Sequence, residues 1–461
     1  MKNIKLLCEN GKLVYFKIVQ RKQEVLIMST QFTSDKEKID KYMKKVFVHA
    51  ESIYKKADLK PENYADFIFL SAIAIKINYK RNLWDEIGFD LSYRIKKLIE
   101  IHGIHKDNIS MFGGFGYMCF AISCYSHHSG RLKSFSKSIN SLLAKEVGDK
   151  SIKLKYSFDS TKFDNYDCIS GISGALYYLL ECDLKKDEAC NDSIKAAVDY
   201  LIALTKKHRY KNSFVHNFHI PCEMQYLESE KKSYPNGNFN FGMAHGIMGP
   251  LVALSKAYKF GYKSNELKDA IGTCFEMYEE FVVLENDIAY WPGQISYEEY
   301  LNKTINDTSI HYASSWCYGN IGILGGMITA CKNLGWTEKK ENLCKQLICA
   351  MHKPLDDFYL VSPSLCHGYS SVLSGYIMTI KNKIDICDHL ELEACVDRII
   401  KLSNDNSQIA KDNPNKIENE DGRLEGYLGD YSILNGVTGI IAVFSELLYN
   451  IDDYRKILLI G

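Results

Sequence analysis

The stretch Trp316-Cys317-Tyr318-Gly319-Asn320-Ile321-Gly322 decides the fold, because its Gly-x-x-Gly mark returns along the whole chain. The same spacing stands at Gly113/Gly116, Gly171/Gly174, Gly246/Gly249 and Gly436/Gly439, each before an apolar run, with Gly368 and Ser371 as a variant. Successive marks lie about 50 to 75 residues apart, room for a pair of helices with their loops, and recurrence at that interval indicates a repeat architecture. Glycine at a helix start lets the chain turn sharply and lets another backbone or a ligand come close. Helix pairs whose inner members all begin with such a turn can close into a ring, with the turns gathered at one end. A bare packing mark would account for one copy, but not for six in phase. The reading is an all-α ring.

Working outward, the segments between marks are helical. Ser264–Phe281 places Leu267, Ile271, Cys274, Tyr278 and Phe281 at steps of three or four, with Ser264 as N-cap. Ile194, Val198, Leu201 and Ile202 repeat the pattern. Strand-like alternation is confined to Ser151–Phe158 and Asn212–Leu227, so a small β-containing insertion is expected within residues 205–240. Eight prolines and no Pro- or Gly/Ser-rich linker favour one continuous body over residues 1–461.

Composition excludes several classes. Lys+Arg and Asp+Glu both total 57, which argues against non-specific nucleic-acid binding. The 31 Tyr and 21 Phe either fill a core or line a concave surface. No apolar stretch approaches the length of a membrane span. Residues 1–12 lack a signal-type apolar core, and Leu6-Leu7-Cys8 lacks a lipoprotein context. Met28 offers an alternative start. With 15 cysteines and no secretory signal, a reducing, cytoplasmic setting with free thiols is expected, most of them buried like Cys274 and Cys395.

Three of the glycine turns carry reactive side chains: Gly242-Met243-Ala244-His245-Gly246, Trp316-Cys317-Tyr318-Gly319, and Leu365-Cys366-His367-Gly368. Each places its reactive group at the start of an inner helix, where the positive end favours thiolate. Cys317, Cys366 and His367 make a soft two-sulfur, one-nitrogen set suited to Zn²⁺. Three protein ligands with a fourth position open is a catalytic arrangement, and no CxxC pair supplies a closed structural site. The bland alternatives stay open here. A cysteine beside glycine is also a small residue at a crowded turn, and His245 is also a helix-capping hydrogen-bonder.

The segment Tyr234-Pro235-Asn236-Gly237-Asn238-Phe239-Asn240-Phe241-Gly242-Met243-Ala244-His245-Gly246-Ile247-Met248-Gly249-Pro250-Leu251 closes the argument, taken with Ser315-Trp316-Cys317-Tyr318-Gly319 and Cys366-His367-Gly368. These three motifs, in this order, resemble the lanthipeptide cyclase (LanC-like) family, and the glycine repeats carry the resemblance over residues 110–445. The resemblance implies an α/α toroid of seven inner and seven outer helices with one zinc ion at one end. It implies Cys317, Cys366 and His367 as zinc ligands, His245 as acid/base, Asp167 as the group that orients it, and Tyr318 as a catalytic-pocket residue. It implies Michael addition of peptide cysteine thiols to dehydroalanine or dehydrobutyrine, giving thioether rings. The implied partners are a dehydrated precursor peptide with a leader, and a dehydratase and transporter holding the enzyme peripherally at the inner membrane face. One position departs: the family pattern has an arginine four residues before the first zinc cysteine, where this chain has Ala313, with His311 nearby as a substitute cation. Other readings are a glutathione or other thiol transferase of the same fold, a prenyltransferase-type zinc enzyme, and a non-catalytic helical scaffold.

Overall fold

The computed structural model describes residues 33–56, 59–105, 108–184, 187–382, 390–404 and 429–461, so Met28 and Leu6-Leu7-Cys8 lie outside the described residues. Among these, fourteen helices of eight residues or more alternate between two layers. In chain order they are α1 (Thr33–Lys55), α2 (Tyr64–Lys76), α3 (Arg81–His102), α4 (Phe115–Ser129), α5 (Lys133–Leu154), α6 (Ile172–Leu179) and α7 (Glu188–Leu204), then α8 (Met248–Lys259), α9 (Asn265–Glu280), α10 (Asn320–Leu334), α11 (Thr337–Met351), α12 (Tyr369–Lys381), α13 (Leu390–Ser403) and α14 (Val437–Tyr449).

The even-numbered helices are buried all round, as α2 is from Tyr64 to Ile75 and α10 from Asn320 to Cys331. The odd-numbered ones bury one stripe; on α9 it is Leu267, Ala270, Ile271, Cys274, Phe275, Met277 and Tyr278. Apolar all round means packed on every side, and a stripe means one face to water. The even helices therefore form the inner ring. Each packs on the next: α2 on α4, α6 on α8, α8 on α10, α10 on α12, α12 on α14, and α14 back on α2. Between α4 and α6 the joint is Tyr178, whose hydroxyl donates to the Cys119 carbonyl at 3.1 Å. The molecule is an α/α toroid.

The glycine mark has a steric origin. Gly171, Gly319, Gly368 and Gly436 are the N-caps of α6, α10, α12 and α14. The second glycine lies over the carbonyl of its own turn. A Cβ on Gly322 would stand 1.9 Å from the Trp316 oxygen, on Gly174 2.1 Å from that of Cys168, and on Gly439 2.1 Å from that of Ile433. At two copies the helix starts two residues after the first glycine, at Phe115 and Met248, with Gly114 and Ile247 as N-caps. The seventh inner helix, α2, carries no glycine mark and starts from the turn Pro61-Glu62-Asn63.

Backbone hydrogen bonds tie successive turns into a belt. Met111 N–H donates to Ile169 (2.8 Å), Cys168 to Ala244 (3.2 Å), Ala244 to Cys317 (3.0 Å), Cys317 to Cys366 (3.2 Å) and Cys366 to Leu434 (2.9 Å). The ring's centre is filled by the C-terminal segment. Ile457, Leu458 and Leu459 have no exposure, the Trp316 indole donates to the Leu458 carbonyl at 3.0 Å, and Ile460 meets Gly325 of α10. Arg455, also buried, pairs with Glu446 of α14 at 2.7 Å and donates to the Ser374 carbonyl of α12 at 3.0 Å.

The strand expectation needs correction. Ser151–Phe158 is not extended: α5 runs through Leu154, with the Ser151 hydroxyl bonded to the Val147 carbonyl at 2.6 Å. Ile152 and Tyr156 point into water, so the alternation there faces no sheet. The insertion does hold a hairpin, β1 (Lys207–Tyr210) with β2 (Ser213–His216), but beyond His216 the Asn212–Leu227 stretch turns into loop and a 3₁₀ turn at Cys222–Met224. The strand β3 (Asn238–Asn240) bridges Ile220 within the insertion through Asn238 and takes its ladder partner from outside it. Two more strands, β4 (Val283–Glu285) and β5 (Ile288–Tyr290), form a hairpin, and β6 (Gln294–Ser296) lies antiparallel to β3 with Asn240 opposite Gln294. This pairing seats the segment that leads into the His245 turn.

Candidate metal centre

Cys317 lies in the turn before α10, and Cys366 and His367 in the turn before α12. Their ligand atoms all lie within 4.8 Å of one another. Two facts of the backbone bring them together: the Cys317 N–H to Cys366 carbonyl bond fixes adjacent turns, and the glycine after each turn lets the helices begin beside one another. The thiols share a hydrogen bond. Accepting from Cys366, and helped by the Ser315 hydroxyl at 3.5 Å and the Tyr318 N–H, holds the Cys317 thiol below its ordinary value in spite of its burial. Cys366, which donates, is held well above the usual thiol range. Two sulfurs and an exposed imidazole with no carboxylate in the group fit a soft, borderline ion such as Zn²⁺ and leave room for an incoming ligand.

His245 enters from the neighbouring turn, before α8. Its Nδ1 lies 2.6 Å from Asp167 Oδ2. Asp167 has no exposure, and its other oxygen accepts from the N–H groups of Ser170 (2.7 Å) and Gly171 (2.6 Å). A carboxylate so bound can only accept, so Nδ1 carries the hydrogen and Nε2 is the exchanging nitrogen. Burial disfavours the imidazolium, yet the hydrogen bond and charge of Asp167 outweigh it and raise the histidine above its ordinary value. Phe163 stands edge-on to the His245 ring at 4.7 Å.

Tyr318 completes the wall. Its ring lies against Gly242, where a Cβ would come within 2.7 Å, with the His245 and His311 rings 6.3 and 5.8 Å away. Burial pushes its phenol upward, so the hydroxyl stays protonated. Burial lowers His311 from its ordinary value, which disfavours the charged ring that a substitute cation would need. All the sequence-predicted site residues thus come from four successive turns. Asn240 and Phe163 were missed. Phe163 bears no sequence signal, whereas Asn240, two residues before Gly242, has the spacing of an Asx-turn.

A family model described as lanthionine synthetase C-like protein matches residues 68–459. The nisin biosynthesis protein NisC of Lactococcus lactis subsp. lactis is 30% identical over 298 residues, which span 62% of this chain and 62% of that relative's length. The solved structure of nisin cyclase superposes with a TM-score of 0.69 at 22% identity, covering 93% of this chain and 98% of that one.

Proposed function

Because the chain belongs to the lanthionine synthetase C-like family, we propose that it is a lanthipeptide cyclase, joining cysteine thiols of a dehydrated precursor peptide to dehydroalanine or dehydrobutyrine as thioethers. The observation that carries this reading is the meeting of Cys317, Cys366 and His367 at one point, beside the His245–Asp167 pair. A free thiol is only a few per cent thiolate at pH 7. Zn²⁺ held by these three residues would supply deprotonation of a coordinating thiol at neutral pH.

The rest falls to the chain. The peptide sulfur adds to the β-carbon, a C–S bond forms, and the electron pair of the double bond moves onto the carbonyl as an enolate. A proton must then reach the α-carbon. We assign that proton to His245 Nε2, with Asp167, 2.6 Å from Nδ1, fixing the tautomer and supporting the imidazolium. The same addition proceeds without an enzyme, so positioning decides which ring forms and with which stereochemistry. Leader recognition and assembly with a dehydratase and transporter belong to this proposal. No helix among the described residues is long and apolar enough to cross a membrane. A prenyltransferase-type site would add a carboxylate to the metal group, and among the described residues this group has none.

Metal analysis of the purified protein is expected to give about one zinc per chain. Cys317→Ala and Cys366→Ala are expected to lose metal and ring formation together. Zinc retained in both variants would remove the ligand assignment. A metal-free wild type would favour the scaffold reading.

A further inference from the structure

Tyr318 is aimed by a buried partner. Asn240 is 1% exposed. Its Oδ1 accepts from the Gly242 backbone N–H at 3.0 Å, and its Nδ2 lies 3.0 Å from the Tyr318 hydroxyl oxygen. A backbone N–H can only donate, so it settles which end of the amide is oxygen. The end facing the phenol is therefore NH₂, and the phenol oxygen accepts there. Among the described residues that hydroxyl has no other hydrogen-bond partner. Its own hydrogen must then point away from Asn240; the His245 ring lies 6.3 Å from the phenol ring, centroid to centroid. A phenol, with its ordinary value of about 10, carries its hydrogen at neutral pH. Position 313, which could have offered a cation, is alanine, and burial disfavours the charged form of His311.

We propose that Asn240 is a positioning residue that turns the Tyr318 hydroxyl outward as the hydrogen-bond donor to the substrate carbonyl on which the enolate charge collects. The inference rests on the cyclase reading. The donation involves no proton transfer: the thiolate's pair makes the C–S bond, the π pair moves to the carbonyl oxygen, and Tyr318 O–H stabilises that oxygen until the α-carbon is protonated. A preformed donor at a developing oxyanion acts in the rate and not in ground-state binding.

Asn240→Ser tests this. The shorter hydroxyl still caps the Gly242 N–H as an ST-turn but cannot reach the phenol. Should that variant fail to fold, Asn240→Asp retains the acceptor for Gly242 and draws the phenol hydrogen inward. Ring formation on a dehydrated precursor peptide is measured for these variants, for Tyr318→Phe, and for the double variant, with zinc content as a check on the fold. Each single change is expected to lower kcat by on the order of 100-fold at unchanged KM and full zinc, and the double variant should be no slower than Tyr318→Phe alone. Unchanged kcat in the Asn240 variant, additive losses, or a loss confined to KM overturns the assignment. A wild type that forms no rings overturns the cyclase reading, and this one with it.

Discussion

At the scale of single residues, the Asp167–His245 pair makes a prediction with a definite sign. The raised histidine value depends on a carboxylate that accepts from Nδ1. Asp167→Asn retains an oxygen for Ser170 and Gly171 but removes the charge, so the histidine value falls. If protonated His245 delivers the α-carbon proton, activity is lost as pH rises through that value. In Asp167→Asn this alkaline limb should move to lower pH, and the rate at pH 7 should drop by about 100-fold or more, read from pH–rate profiles of ring formation. An unmoved limb would detach the proton from His245. The meeting of Cys317, Cys366 and His367 was legible because reactive types stood one or two residues before glycine, a combination that local turn chemistry alone does not require. Asn240 was not, because its importance lies in which atom faces Tyr318, and that depends on a pairing of β3 with a strand more than fifty residues away.

At the scale of elements, the same residue type has opposite consequences. Gly322 sits against the Trp316 carbonyl, 1.9 Å from a would-be Cβ, whereas Gly272 within α9 has nothing within 4 Å. Gly322→Ala should destabilise by at least about 2 kcal/mol, since the turn must open to admit a methyl. Gly272→Ala should stabilise by about 0.5 to 1 kcal/mol through helix propensity. Urea unfolding of the two variants checks both. Six inner helices announced themselves because a close backbone approach demands glycine. The seventh, α2, is equally buried but starts from a proline turn, and an apolar run without period looks alike in helix and strand. Ser151–Phe158 misled for the opposite reason: its alternation is real in sequence, yet α5 continues through it with Ile152 left in water.

At the scale of the whole molecule, one buried carboxylate anchors the filled centre. Glu446, 1% exposed, takes the guanidinium of Arg455, the hydroxyl of Tyr454 at 2.5 Å and the Lys381 ammonium at 2.5 Å. Glu446→Leu strands Arg455 as an uncompensated buried charge, a cost of about 3 to 5 kcal/mol, and chemical denaturation should register it. Ring closure has a kinetic corollary. The seam between α14 and α2 joins segments separated by most of the chain, and such distant pairings form late in folding. The reactive residues need none of it, for they occupy one arc, the consecutive turns ahead of α6, α8, α10 and α12. A refolding chain can therefore pass through a horseshoe whose sulfurs already meet while its flanks still gape, and metal captured at that stage would fasten the arc before the circle is complete.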